Sequence, residues 1–279
     1  MPVGDRVLGQ KDLKQAEARV VAYLSRAQNL IRVFDDPNAS LYIDQWRLAF
    51  GQEIKKDTPA YTLCKAGIHA CHYDEGPLKL AWDTGLSVRE TTEFQRNYHA
   101  VNPEIRQWHE ATVEELATKG YLDIPFYGKS RVFYEALSFY RVHRTFTDRH
   151  KKDAYAWRPQ TLVPQIITEG LRMAWPRLPD SVWIHHHGHD SVTWSCRPQE
   201  FIEVERLLDQ CLDVRIPING LVLQIPRDTA IGYSVGDLME YKGAVPSVRE
   251  WEAWRAKKQR ERRRLVLEGI YGPHIERGV

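Results

Sequence analysis

Trp183-Ile184-His185-His186-His187-Gly188-His189-Asp190-Ser191-Val192-Thr193-Trp194 decides how this chain is read. Trp183 and Ile184 have strand character, Gly188 permits a close turn, and Val192, Thr193 and Trp194 resume the extended pattern. The stretch predicts a β-hairpin with Asp190 at its bend, where a rigid sheet leaves a carboxylate little freedom. Taken alone, such an acid is a turn residue. A second acid stands far upstream, in Lys11-Asp12-Leu13-Lys14-Gln15-Ala16-Glu17-Ala18-Arg19. Residues 6–10 read as a short strand leading into Asp12, and Ala16, Val20, Val21 and Leu24 suit one face of a following helix. Taken alone, Asp12 is a helix cap. Taken together, two carboxylates on paired strands repel unless a cation lies between them. Magnesium prefers oxygen ligands and leaves positions for substrate phosphates. Paired divalent ions about 4 Å apart can clamp the attacking and leaving oxygens of a phosphoryl transfer.

The whole chain bounds this reading. Its 279 residues fit one large domain or two, and no run is long and apolar enough to span a membrane. No signal-peptide pattern opens it, and Cys64, Cys71, Cys196 and Cys211 form no CxxC pair, so a reduced, cytoplasmic setting is expected. The formal charge is only +2, yet basic residues are blocked together. One block holds Arg141, His143, Arg144, Arg149, His150, Lys151 and Lys152. Another holds Arg255, Lys257, Lys258, Arg260, Arg262, Arg263 and Arg264, broken by Glu261. For nucleic-acid binding, such local distribution matters more than net charge.

Along the chain, Thr58 caps a helix with Pro59 at its first position, expected to run to about Tyr73. Ser87-Val88-Arg89-Glu90 is a capping-box pattern, and Asn102-Pro103 opens a third helix that ends at Gly120. Residues 122–134 read as a hairpin around Gly128 and residues 162–174 as a helix stopped by Pro176. Residues 201–212 form an amphipathic helix, residues 216–225 a strand region, and the tail from Ser247 a charged helix. The order predicts an α+β fold in which distant strands share one small antiparallel sheet.

Tyr61, Lys65, His69 and Tyr73 recur every four residues on the Thr58-capped helix. Each step drifts by only about 40°, so they make one slightly curving stripe. A cation, an imidazole and two phenols suit a solvated face, or a nucleotide wall on which phosphate and base can rest.

These segments resemble family A DNA polymerases of bacteriophage and bacterial type. Residues 12–22, Asp-Leu-Lys-Gln-Ala-Glu-Ala-Arg-Val-Val-Ala, look like motif A. Lys65-Ala66-Gly67-Ile68-His69-Ala70-Cys71-His72-Tyr73 resembles motif B, and His189-Asp190-Ser191 resembles motif C. Trp157-Arg158-Pro159-Gln160, followed by Ile166-Ile167, is similar to the segment that touches the minor groove. The resemblance spans residues 7–241 and implies a right-hand palm, a small antiparallel sheet backed by helices, with inserted helical fingers. It implies palm at residues 1–50 and 150–246, fingers at 51–149 and a basic tail at 247–279. It implies that Asp12, Asp190 and the Leu13 carbonyl hold two Mg2+ ions, which Mn2+ can replace. Gln15, Glu17, Lys65, His69, Tyr73 and Leu13 would meet the dNTP. In that set Lys65 takes the triphosphate, and Glu17 with Tyr73 excludes a 2′-hydroxyl. Gln160 and His189 would meet primer–template DNA, with Arg158, Lys129, Arg131, Lys151 and Lys152 as further contacts.

The chain departs from the family pattern where Tyr61 replaces an arginine, Asp74 a glycine, and Ser191 the motif C glutamate. Only eleven residues precede Asp12, so a second chain is expected to supply a thumb and a 3′–5′ exonuclease. Two other classes compete. His185, His187 and His189 on one strand face would suit zinc and a metal hydrolase. A non-catalytic scaffold could instead bind nucleic acid through the basic blocks. The polymerase reading requires folding to bring Asp12 and Asp190 together, in a cleft faced by residues 65, 69 and 73.

Overall fold

The computed structural model describes residues 5–56 and 58–267. Strand β1 (Val7–Leu13) leads into helices α1 (Ala16–Ser25), α2 (Gln28–Asp35) and α3 (Leu41–Phe50). Helix α4 (Pro59–His72) starts as its sequence requires, with the Thr58 hydroxyl accepting from the Tyr61 amide at 3.3 Å and Pro59 first in the helix. Next come α5 (Pro77–Thr84), α6 (Val88–Val101) and α7 (Glu104–Lys119). The capping box at α6 is formed in both directions, and Gly120 closes α7 in the left-handed conformation at φ 80°. The small hairpin β2 (Tyr121–Asp123) and β3 (Ser130–Val132) precedes α8 (Tyr134–His143) and α9 (Asp148–Ala174). Then follow β4 (Trp183–His187), β5 (Ser191–Cys196), α10 (Phe201–Leu212), β6 (Arg215–Ile218) and β7 (Leu221–Gln224). The chain continues through β8 (Arg227–Gly232) and β9 (Met239–Glu240) to α11 (Val248–Leu267). The tail beyond residue 267 lies outside the described residues.

Two expectations need correction here. The strand region at 216–225 does not join the main sheet: β6 and β7 pair only with each other, around Asn219-Gly220, both at positive φ. The strand that does join is β8, whose Arg227-Asp228-Thr229 start carries little apolar signal. Helix α9 starts fourteen residues before Leu162 and runs through Pro159 and Pro164. Each proline removes one helical hydrogen bond, so burial must hold the turns together. Leu162, Val163, Ile166 and Ile167 are all buried.

The chain divides into two compact units, one of residues 1–14, 166–214 and 225–279, the other of residues 15–165 and 215–224. The first contains a five-stranded antiparallel sheet in the order β4-β5-β1-β8-β9. Directly paired residues share a face, so the registers define the two sides of this sheet. One side carries Gly9 with Trp194 and Ile231, and Lys11 with Val192 and Thr229. This side packs against α10: Trp194 stacks on Phe201 at 5.9 Å, and both are fully buried. Gly9 is required by space, because a Cβ there would lie 2.3 Å from the Trp194 ring. Lys11 is 1% exposed, yet its ammonium sits 2.7 Å from both Glu205 and Asp209 of α10. Arg227 and Thr229 of β8 reach the same acids, at 2.9 Å to Asp209 and 2.9 Å to Glu205. One ionic cluster thus bolts β1 and β8 to α10. Burial pushes the Asp209 carboxyl up, but hydrogen bonds from Arg227 and Lys11 outweigh it and hold it at about 2. The other side of the sheet is polar and includes Gln10, Asp12, Ser191, Thr193 and Asp228.

The second unit is helical. Gly67 lets α4 approach α6 closely, since a Cβ would meet the Phe94 ring at 2.3 Å. Phe94, Tyr98, Ile68 and Leu80 are buried in this core. A second cluster of Leu116, Leu122, Phe133, Ala136, Phe146 and Ala154 seats the β2–β3 hairpin.

Without Lys11 each acid keeps one other partner, Arg227 for Asp209 and Thr229 for Glu205, so Lys11→Met should cost about 1–3 kcal/mol. Urea unfolding measures this as a lower midpoint at unchanged slope, and an unchanged midpoint would refute the bolt.

Candidate active site

The polar side of the sheet gathers acids at one end. Asp12 pairs with Ser191 on β5 and with Asp228 on β8. The Leu13 amide donates to the Asp190 carbonyl at 2.9 Å, so the hairpin bend is tied to the end of β1 beside Asp12. Gly188 makes this bend possible through space rather than through φ. A Cβ on it would lie 2.8 Å from the Ser191 hydroxyl, and its amide donates to the Ser191 carbonyl at 2.8 Å. The folded chain therefore brings the Asp12 and Asp190 segments together.

Partial burial, then the carboxylates of Asp190 and Asp228, push the Asp12 carboxyl up from 3.8 to about 6. Asp12 itself stays exposed to water, which moderates the repulsion. Asp228 is partly answered by Lys14, whose ammonium lies 2.7 Å away. A cavity of about 430 Å³ opens over this face, lined by Gln10, Asp12, Lys14, Asp228 and Glu240 among others. Sequence reasoning overlooked Asp228. Its only signal was a charge in a short segment, and register alone sets it opposite Asp12. The acids near Asp12 offer oxygen donors only, the type a hard divalent cation prefers. Among the described residues no three His, Cys, Asp or Glu side chains are placed so that together they could hold a metal ion. A cation bound here would draw its remaining ligands from substrate or water.

The histidine alternative loses its geometry. A register shift between Ile184 and His186 breaks the alternation on which a shared face for His185, His187 and His189 depended. His185 bonds the Ser195 hydroxyl at 2.7 Å, and His189 lies beyond the strand, exposed at the bend.

In the helical unit, the four-residue stripe on α4 is only partly a free face. Lys65 and His69 are exposed, but Tyr61 packs edge-on against Tyr42 at 5.3 Å. Tyr73 is 8% exposed and donates its hydroxyl to Glu17, with the His69 ring against it at 4.8 Å. Burial, then Glu17, pushes the Tyr73 phenol well above its ordinary value, so it remains a donor. The His69 ring nitrogen lies 3.9 Å from Glu17. Gln15 is exposed in the left-handed conformation just before α1. The end of α4 is braced from behind, where a His109 ring nitrogen bonds the His72 carbonyl at 2.8 Å. His72 bonds the Tyr98 hydroxyl at 2.8 Å. Neither brace has a sequence signal, since both depend on which helices pack together.

The remaining sequence candidates are dispersed. Gln160 is exposed on α9. Arg158 is committed internally, 2.7 Å from Glu115 and donating to the Asp123 carbonyl at 2.7 Å. Lys129 donates to Gln165, and Arg131 lies over the Phe133 ring at 4.5 Å. Lys151 and Lys152 are half-buried in the first turns of α9. No helix among the described residues is long and apolar enough to cross a membrane.

Comparison with known proteins covers most of the chain. The sequence model of DNA polymerase family A matches residues 2–234. A thermostable DNA polymerase I of Thermus filiformis is 24% identical over 223 residues, covering 79% of this chain and 26% of that protein. A DNA polymerase of Mycobacterium phage D29 is 28% identical over 147 residues, covering 51% of this chain and 24% of that one. The chain thus spans about a quarter of the length of these relatives. The polymerase domain of Pol1 from M. smegmatis, solved with DNA primer-template and dNTP, superposes with TM-score 0.69 at 22% identity. That match covers 82% of this chain and 40% of the other, and it shows a shared fold.

The raised Asp12 pKa has a defined sign. Charging this carboxyl costs the folded state stability, a cost absent below about pH 3.8 and full above about pH 6. Asp12→Asn should raise the thermal midpoint at neutral pH and leave it unchanged near pH 3. Asp228→Asn should lower the Asp12 titration midpoint, read from carboxyl NMR shifts, and an unmoved midpoint would separate the two acids.

Proposed function

We propose that this chain, which belongs to DNA polymerase family A, carries the catalytic portion of a DNA-directed DNA polymerase. Residues 1–50 and 150–246 would form its palm and residues 51–149 its fingers. The observation that supports the reading most is the tie between Leu13 and Asp190, which sets two acids from distant segments side by side. Magnesium or manganese ions held by Asp12, Asp190 and the Leu13 carbonyl would activate the primer 3′-hydroxyl and neutralise the leaving pyrophosphate.

The residues of the chain have separate tasks. The primer oxygen attacks the α-phosphorus of a dNTP, the bond to the β-phosphate breaks, and pyrophosphate leaves. Lys65 takes the triphosphate oxygens and can return a proton to the departing group. His69 offers a ring to the base, while Gln15 borders the nucleotide. Glu17 and Tyr73, bonded to one another, form a polar wall that a 2′-hydroxyl would have to breach. Gln160 and His189 face the primer–template, with Lys129, Arg131, Lys151 and Lys152 available to its phosphates. Catalysis on this reading is positioning and charge stabilisation. Affinity for a duplex rests mainly on phosphate contacts, so we assign a thumb, and any 3′–5′ exonuclease, to a partner polypeptide.

Primer extension tests the reading. Asp12→Asn and Asp190→Asn should each abolish magnesium-dependent extension by the native complex and leave primer–template affinity within a few fold. Extension retained in either variant would end the assignment. Glu17→Ala should narrow the preference for deoxynucleotides over ribonucleotides by at least tenfold in kcat/KM, and an unchanged ratio would remove Glu17 and Tyr73 from the wall.

A further inference from the structure

Helix α11 lies beyond residue 234, where the family match ends, and none of the tasks above uses it. Its beginning is firmly seated. Ser247 and Glu250 form a capping box, with the Glu250 carboxylate 2.8 Å from the Ser247 amide and the Ser247 hydroxyl accepting from the Glu250 amide at 3.3 Å. Trp251 is 4% exposed and donates to the Asp237 carbonyl at 2.7 Å. The Tyr233 ring lies 5.7 Å from it. Arg255 reaches the Asp237 carboxylate at 2.7 Å and lies over the Trp251 ring at 5.4 Å. The first two turns are thus fixed to the strand unit.

Beyond this joint the helix changes character. Residues 255–264 contain seven basic side chains and one acid, Glu261. At 100° per residue, Lys257, Arg260, Arg263 and Arg264 fall within an arc of about 120°. All four are exposed. Lys258 lies outside that arc and is answered by Glu261 at 3.2 Å. Elsewhere the exposed helices mix signs, as Lys79 with Asp83 on α5 and Lys119 with Glu115 on α7. Like charges three and four residues apart destabilise a helix, so a solvated surface alone gives no reason to collect them. A polyanion would relieve the repulsion. The arc extends about 10 Å along the axis, a length in which duplex DNA presents about six phosphates.

We propose that the Lys257, Arg260, Arg263 and Arg264 face of α11 binds the sugar–phosphate backbone of duplex DNA without regard to sequence. The choice of duplex DNA rests on the polymerase reading; the choice of a polyanion rests on the charge arrangement alone. A rigid, seated arm of this kind would add phosphate contacts outside the shared family region.

The full chain and a Lys257→Gln/Arg260→Gln/Arg263→Gln/Arg264→Gln variant are compared by anisotropy with a labelled primer–template, across about 0.05–0.3 M salt. Glutamine keeps helix propensity, and circular dichroism checks that it does. The variant should bind about tenfold more weakly or worse, with the slope of log Kd against log salt reduced by about 3. Replacement of the same four by glutamate should weaken binding further. Equal affinity and slope in parent and variant would overturn the proposal. So would an equal loss from Lys258→Gln alone, or a parent that binds phosphatidylserine vesicles and no duplex. A parent that binds with the expected slope, in a native complex that never extends a primer, would defeat the polymerase reading and leave this surface standing. A parent that extends primers, with a variant of equal affinity, would do the reverse.

Discussion

The strand unit depends on β1 being paired along both edges while its alternate side chains serve opposite purposes. Gly9 and Lys11 face α10, one as the space under Trp194 and the other as a buried cation between Glu205 and Asp209. Gln10 and Asp12 face the polar side. A slip of one residue would exchange these sets, burying Asp12 and exposing Lys11. The ionic bolt to α10 is therefore also a register lock. A buried cation with two acids is poor evidence for stability, since apolar groups could serve as well. Its value here is specificity: only one register satisfies the ammonium.

That lock explains why the acids meet. Asp12 is flanked by Lys11 on its own strand, and Asp228 by Arg227 and Thr229 on the next. All three flanking residues reach α10, so the carboxylates are held on the opposite side by their neighbours. The hairpin bend joins through the Leu13–Asp190 hydrogen bond. The outcome is a patch of negative charge in which partial burial first, and the Asp190 and Asp228 carboxylates second, raise the Asp12 pKa. Across β1 from Ser191, the register sets Asp228 of β8 beside Asp12.

Local signals served well where they had a local physical cause. The caps at Thr58 and Ser87, the glycine stop at 120 and the His-rich hairpin all arise from bonds made within a few residues. Three segments defeated the same logic. In α9, buried apolar residues carry the helix past two prolines that local rules treat as stops. In β8, Arg227 and Thr229 turn toward charged residues of α10, so no apolar alternation announces the start of the strand. In β4, a bulge set by pairing with β5 rotates the histidines out of the shared face that simple alternation implies.

The amino-acid sequence by itself determined the motif residues, their order along the chain, the caps or ends of α4, α6, α7, α10 and α11 and the α+β class, because short-range caps, turns and periodicities depend only on near neighbours. Tertiary structure alone decided that Asp228 stands across from Asp12, that Tyr73 is bonded to Glu17, that Arg158 is spent on Glu115, and that the histidines do not converge. Each of these depends on strand register or helix packing between residues far apart in the chain. Register is chosen by the balance of buried apolar area and buried charge over the whole sheet, a sum that no single stretch contains.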